Sequence, residues 1–288
     1  MDTPAGAYVP APPRSLTFKA RLKRALKPVL RPILGLVGSL GFDPSRVLLL
    51  RYVPRYLAHA RRFRAQGGTI SAHMPIFVDW QEQAGTASGH YFHQDLLVAS
   101  RIHDANPRRH IDVGSRVDGF VAHVAAFRTV EILDVRALQD TGHPRIRFMQ
   151  ADLMDEASVP VEITDSLSCL HVLEHFGLGR YGDAIDPNGH RRGFNHLLRM
   201  LEPGGTLYVS FPIGRATEVH FNAHRVFHPT EVLGWADTPG AVELLRFDFV
   251  DDQGALHRDA NPAGPLPPMS FGCGIYTLRK RARDADPA

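Results

Sequence analysis

The stretch that decides the fold is His110–Asp134, HIDVGSRVDGFVAHVAAFRTVEILD. A short apolar run ends in Asp112 and is followed by a Gly-Ser turn, Gly114-Ser115. Phe120, Val121, Val124, Ala125 and Phe127 then recur at helical spacing, which predicts a helix over 118–128. The next segment, 129–135, is too short and too apolar for another helix and reads as a second strand ending in an acid. Strand, tight turn, helix and strand in this length make one βαβ unit. Its product is a ligand crevice at the carboxyl ends of two parallel strands.

Working outward, HYFHQDLLVASRIHDA over 90–105 reads as a helix just before the first strand. Strands are expected at 111–113, 130–135, 146–151, 166–172, 206–211, 242–250 and 274–278. Helices fall between most of them, including 193–201 and 230–236. Five strands with short crossovers come first. Two more follow, joined by the Pro-, Gly- and Asp-rich loop 251–270. That order predicts an α/β protein with a seven-stranded, mostly parallel sheet closed by one antiparallel strand.

With 288 residues, 44% hydrophobic and 22% charged, the chain has the composition of a globular protein: one large domain with an appendage. The net charge of +3 conceals an asymmetry. Residues 1–66 hold 13 Lys and Arg against two acids, whereas the rest holds 20 basic and 28 acidic residues. We therefore expect a basic leader and helical extension over 1–66 and the main domain over 67–288. Within the extension, Leu16–Lys27 forms an amphipathic basic helix, interrupted by Pro28 and Pro32. A second helix starts at Asp43-Pro44 and runs to about Gln66, with a break near Pro54. The arm reads either as a peripheral anchor on an anionic membrane or as a lid with its basic face in water. The apolar stretch 32–42 is glycine-broken, lacks a cleavage site and is too short to span a bilayer. Cys169 and Cys273 make no Cys-x-x-Cys pair, so a reducing, cytoplasmic setting is expected, at most peripheral at the inner face of a membrane. A nucleic-acid partner is not expected.

Asp112 and Gly114 match the start of the Asp-x-Gly-x-Gly-x-Gly turn of S-adenosylmethionine-dependent class I methyltransferases, with Arg116 and Asp118 at its next two glycine positions. A dinucleotide needs backbone N–H groups close to its pyrophosphate, and Asp118 would repel that anion. A ligand with an amino-acid end fits better: Arg116 could pair with its carboxylate and Asp112 with its ammonium, across the turn at Ser115. Asp134, 22 positions after Asp112, stands where a ribose-binding acid belongs. Leu173-Glu174-His175 after the fourth strand and LLRMLEPGGTLYVS over 197–210 resemble the same superfamily. More closely, GHYFHQDLLVA, HIDVGSRVDGFVAHV, HVLEHFGLGRYGDAIDPNGH and FNAHRVFHP resemble the domain of unknown function 268 family, a methyltransferase-like group. The resemblance covers roughly 90–280. It implies a Rossmann-like class I methyltransferase fold with S-adenosylmethionine bound at Asp112, Gly114, Ser115, Arg116, Asp134 and Asp152. Asp152 lies where that superfamily places an acid near the adenine, and His171 at the methyl-facing strand end.

Methyl transfer is in-line displacement, so positioning dominates; an oxygen acceptor also needs a base. His175 is the candidate base, His171 a second or a cofactor contact, and Glu174 orients a histidine or caps the next turn. Read alone, His171-x-x-Glu174-His175 is a zinc-peptidase motif, and a metal-dependent hydrolase is one alternative. That chemistry needs the motif on a helix, so no metal is expected. Loop 176–190 offers Tyr181, Asp183, Asp186 and His190 to a polyhydroxylated acceptor such as a glycan, or simply packs. His220, His224 and His228 recur every four residues but in a loop, where only His224 would reach an acceptor. The leading expectation is methyl transfer to a small-molecule or glycan-linked acceptor. The other alternative is a binding or scaffold protein on the same fold, without chemistry.

Overall fold

The computed structural model describes residues 44–80 and 84–282. The amphipathic segment Leu16–Lys27 lies outside them. The chain packs as two compact units, Met1–Gly85 and Thr86–Ala288.

In the first unit a 3-10 helix, Pro44–Tyr52, passes into an α-helix, Val53–Ala65, with Pro54 in the first turn where its missing N–H costs nothing. The expected break near Pro54 is this change of helix type. Trp80 meets Tyr52 edge-on at 5.3 Å and takes the Arg55 guanidinium on its face at 4.7 Å. The α-helix buries none of its residues. No helix among the described residues is long and apolar enough to cross a membrane.

The second unit is built on one sheet. Its strands are β1 (His110–Val113), β2 (Val130–Asp134), β3 (Ile146–Gln150), β4 (Thr164–Leu170), β5 (Leu201–Ile213), β8 (Val242–Val250), β9 (Leu256–His257) and β10 (Gly272–Lys280). β6 (Glu218–His220) and β7 (His224–Val226) form a separate hairpin. The sheet order is β3-β2-β1-β4-β5-β10-β8-β9. β1 to β5 pair in parallel, and β10 runs antiparallel to both β5 and β8. Counting the long strands alone, the order is 3-2-1-4-5-7-6 with the seventh reversed, a Rossmann-like class I methyltransferase fold. The sheet has eight strands rather than the expected seven, because two residues of the 251–270 loop, Leu256 and His257, pair with the end of β8.

Successive residues of each strand serve opposite faces. Ile111, Val113 and Leu133 pack with Phe194, Leu197 and Leu198 of the helix Gly189–Met200. Val130 and Ile132 pack on the other face with Val98 and Ile102 of the helix His90–Ala105 and with Phe120, Val121 and Val124. The helix expected over 118–128 is broken into a wide turn, Val117–Val121, and one α-turn, Ala122–Ala125. The break is at Gly119, whose ψ of −111° leaves helical geometry. A Cβ at 119 would stand 3.1 Å from Asp95 Oδ2, a tight contact that a small shift of that side chain relieves. The helix expected over 230–236 shrinks to a single 3-10 turn, Glu231–Gly234.

Candidate functional site

Strand order reverses between β1 and β4, so their carboxyl ends open a crevice. Gly114 turns the chain there with φ +71°, and a Cβ on it would lie 2.9 Å from Val172 Cγ1. Register places Asp112 opposite Ser168 and His110 opposite Ser166. The fully buried Asp112 carboxyl takes hydrogen bonds from Ser115 Oγ (2.8 Å), Ser115 N (3.1 Å) and Ser168 Oγ (2.5 Å). His110 joins from behind, with Nε2 3.1 Å from Ser168 Oγ and Nδ1 2.8 Å from Ser166 Oγ. Burial outweighs the serine hydrogen bonds and pushes the Asp112 pKa up to about 7. Burial, with Arg128 nearby, pushes that of His110 down to about 3. Asp112 thus spends its oxygens on the turn and does not line the crevice.

The crevice is a cavity of about 450 Å³. Of the residues singled out by sequence, it brings together Gly114, Ser115 and Arg116 on one side. His171, Glu174, His175, Tyr181 and His224 line it elsewhere. Arg116 reaches back to Asp118 (2.7 Å) with its side chain 70% exposed. Asp134 is held by Arg136, Nε to Oδ1 at 2.9 Å and Nη2 to Oδ2 at 2.6 Å, and Arg136 itself lines the cavity with its guanidinium 4.9 Å from the Tyr181 ring centroid.

The remaining candidates lie elsewhere. Asp152 accepts from Met154 N in a turn, and Asp183 accepts from Gly177 N, Gly179 N and Tyr181 N inside the loop. Asp186 holds Asn188 N and Arg192. His190 is buried between Phe227 and Trp235, each 5.1 Å away, and burial lowers its pKa to about 4. Of the loop candidates, Tyr181 alone faces the cavity.

Sequence reasoning missed the wall contributed by His90, Tyr91, Gln94 and Asp95 at the start of their helix, and by Phe271 before β10. A helix opening just before the first strand was the available signal for the first four. Burial raises the pKa of Asp95, against a hydrogen bond from Gln94.

After β4 the chain turns at His171, φ +55°, and forms one 3-10 turn, Leu173–His175. The His-x-x-Glu-His residues therefore do not share a helix face; both histidines approach Glu174 Oε1, His171 at 2.9 Å and His175 at 3.7 Å, but their Nδ1 atoms take different partners. His171 Nδ1 lies 2.9 Å from Glu174 Oε1. Burial opposes charge on His171, but Cys273 and Glu174 prevail and hold its pKa well above the usual value. His175 Nδ1 lies 2.7 Å from the Ala223 carbonyl, and its pKa is lowered by burial and by Arg180, against Glu174. Arg225, 2% exposed, donates to the carbonyls of Glu174, Phe176, Asp186 and Pro187, and so ties loop 176–190 to the hairpin. On that hairpin His220 and His224 face each other (3.1 Å), while His228 bonds Thr230; only His224 lines the cavity.

Residues 126–233 match the family model described as "Caenorhabditis protein of unknown function, DUF268". The stretch similar to DUF268 covers less than half of the chain. It holds β2 to β7, the His171–His175 turn and loop 176–190, so the DUF268 resemblance read from the sequence holds there. No curated protein matches the chain. Similar solved structures include the N-methyltransferase NodS from Bradyrhizobium japonicum WM9 in complex with S-adenosyl-L-homocysteine. It is 12% identical with a TM-score of 0.44, over 67% of this chain and 88% of that one. Another is the Burkholderia thailandensis 1,6-didemethyltoxoflavin-N1-methyltransferase, at 15% and 0.47, over 82% and 88%. A third is the [4+2]-cyclase SpnF, at 16% and 0.48, over 84% and 98%.

Proposed function

We propose that the protein is an S-adenosylmethionine-dependent methyltransferase acting on a small-molecule or glycan-linked acceptor. The observation that carries this is the charge pattern around the Gly114-Ser115 turn. Arg116 and Asp95 flank that turn in the cavity, which Arg136, Arg180 and Glu174 line elsewhere, and no run of glycines cradles a phosphate there. An amino-acid end matches the Arg116 and Asp95 pair. Asp95 takes the ammonium in place of Asp112, whose oxygens are occupied. Asp134 receives the ribose hydroxyls when Arg136 gives way. A cavity of about 450 Å³ is in the ordinary range for small-molecule sites.

Bound there, the cofactor would supply a methyl group on a positively charged sulfur. His175 supplies the base. Its Nδ1–H is held by the Ala223 carbonyl, so Nε2 keeps the lone pair and would take the acceptor's proton. Tyr181 and His224, on the loop and hairpin, line the same cavity and would contact the acceptor. Calorimetry with S-adenosylhomocysteine tests the reading: saturable heat with one site is expected. Absence of heat at millimolar ligand with folded protein would leave a scaffold on this fold as the better account.

A further inference from the structure

We infer that His90, His171 and Cys273 form a three-ligand site for a divalent cation of the zinc class, with one coordination position open to the cavity. The three come from the first residue of a helix, the residue after β4 and the second residue of β10. One ligand atom from each lies within 4.8 Å of the others. No spacing rule in the sequence links positions 90, 171 and 273, so only the fold brings them together.

The donor set suits such an ion. Two imidazoles and a thiolate are the ligand types zinc takes in sites that keep a fourth position for water or substrate. Bonds of about 2.0–2.3 Å in a tetrahedron put ligand atoms roughly 3.3–3.7 Å apart. Closing from 4.8 Å needs a movement of about 1 Å, which rotation of the half-buried His90 ring supplies.

His171 points to a cation independently. Its side chain is 7% exposed, and its Nε2 is buried without a hydrogen-bond partner, whereas Nδ1 is on the Glu174 carboxylate. A carboxylate on one ring nitrogen, with the other left bare, is how metal-binding histidines are held. Glu174 is itself buried, and its Oε2 also lacks a partner. A cation on the His171 ring offsets the buried carboxylate charge. The Cys273 thiol is fully buried, with two weak contacts at 3.8 Å, to Gln94 Oε1 and Gly274 O, and it faces the His171 ring. The thiol and the His171 ring each give a proton to solvent as the sulfur–metal and nitrogen–metal bonds form. The competing account is packing alone: His90 stacks on His171 at 5.4 Å and on Phe271 at 5.6 Å, with Cys273 as a small apolar filler.

His90 and His171 line the cavity, so the open position faces whatever binds there. The inference does not rest on methyl transfer, because a cation could bind whether or not S-adenosylmethionine does. Its test uses full-length, untagged protein, stripped of metal and titrated with cobalt(II). One equivalent should bind with a near-ultraviolet thiolate-to-cobalt band and the strong visible bands of a tetrahedral ion, and zinc should displace it. Cys169→Ala should keep the near-ultraviolet band, and Cys273→Ala should lose it. Glu174→Gln should keep the band and weaken affinity about 10- to 100-fold. No thiolate band with folded wild-type protein at millimolar cobalt overturns the inference, as does a band that follows Cys169 instead of Cys273.

Discussion

Asp112 and His110 meet at Ser168, and burial gives their titrations opposite signs. The Asp112 pKa rises from 3.8 to about 7, and that of His110 falls from 6.5 to about 3. Between pH 3.8 and 6.5 the folded chain keeps a proton on Asp112 that the unfolded chain has lost. That group alone makes stability fall as pH rises, by about 1.4 kcal/mol per unit. Over the same window the unfolded chain holds a proton on His110 that the folded chain lacks. The imidazole alone makes stability rise with pH by about the same amount, and the two slopes cancel. Removing either partner should expose the other. Relative to wild type, Asp112→Asn should make unfolding free energy climb more steeply between pH 4.5 and 6, by about 1.4 kcal/mol per unit. His110→Gln should tilt it the other way by a similar amount. Urea denaturation at quarter-unit pH steps measures this, and subtracting wild type from each variant removes the other titrating groups. Equal slopes in all three proteins would refute the account. So would a shift of the same sign in both variants, because buried groups of opposite charge type cannot produce it.

Gly114→Ala should cost about 2–3 kcal/mol from the left-handed φ and the Val172 contact together, and adding Val172→Ala should restore only part of it; full rescue would mean that backbone strain contributes nothing. Arg225→Lys should destabilise by about 2–4 kcal/mol and expose loop 176–190 to protease, because one ammonium cannot serve four carbonyls; an unchanged cleavage pattern contradicts this. If His175 is the base, its lowered pKa keeps the lone pair available below pH 6.5, so kcat/KM should hold down to that pH and fall only below it; an acid limb above 6.5 assigns the base elsewhere. The first unit carries six arginines over 44–80 against Asp79 alone, with Leu48, Leu50 and Phe63 exposed. We propose that this arm meets an anionic bilayer, so sedimentation with anionic liposomes should weaken with salt and disappear when residues 1–66 are deleted.

What the sequence made legible follows from how far each signal reaches along the chain. Alternating apolar runs place the seven long strands within a few residues, and the helix over 90–105 was read with both ends correct. Packing across the sheet is invisible to such patterns. Gly119 looks like an ordinary interruption, and only the fold sets it beside Asp95, 24 positions earlier, with Oδ2 3.1 Å from where a Cβ would stand. Asp112 shows the same limit at the site. Its place near the end of β1 marks it as a ligand contact, yet the parallel register with β4 sets Ser168 opposite, and the carboxyl turns inward. Asp183 and Asp186 look like acceptor contacts because their loop is polar. Backbone N–H groups within a few residues claim their oxygens first, since a local hydrogen bond costs less chain entropy than a distant one. The cavity wall depends most on tertiary structure. Asp95 and Arg116 are 21 positions apart on different elements, and only their meeting at the switch point creates the charge pair that favours an amino-acid end. The motif around Asp112 therefore locates the crevice, while the groups free to bind are those whose local partners leave an atom unused: Asp95 at one end and His171 at the other.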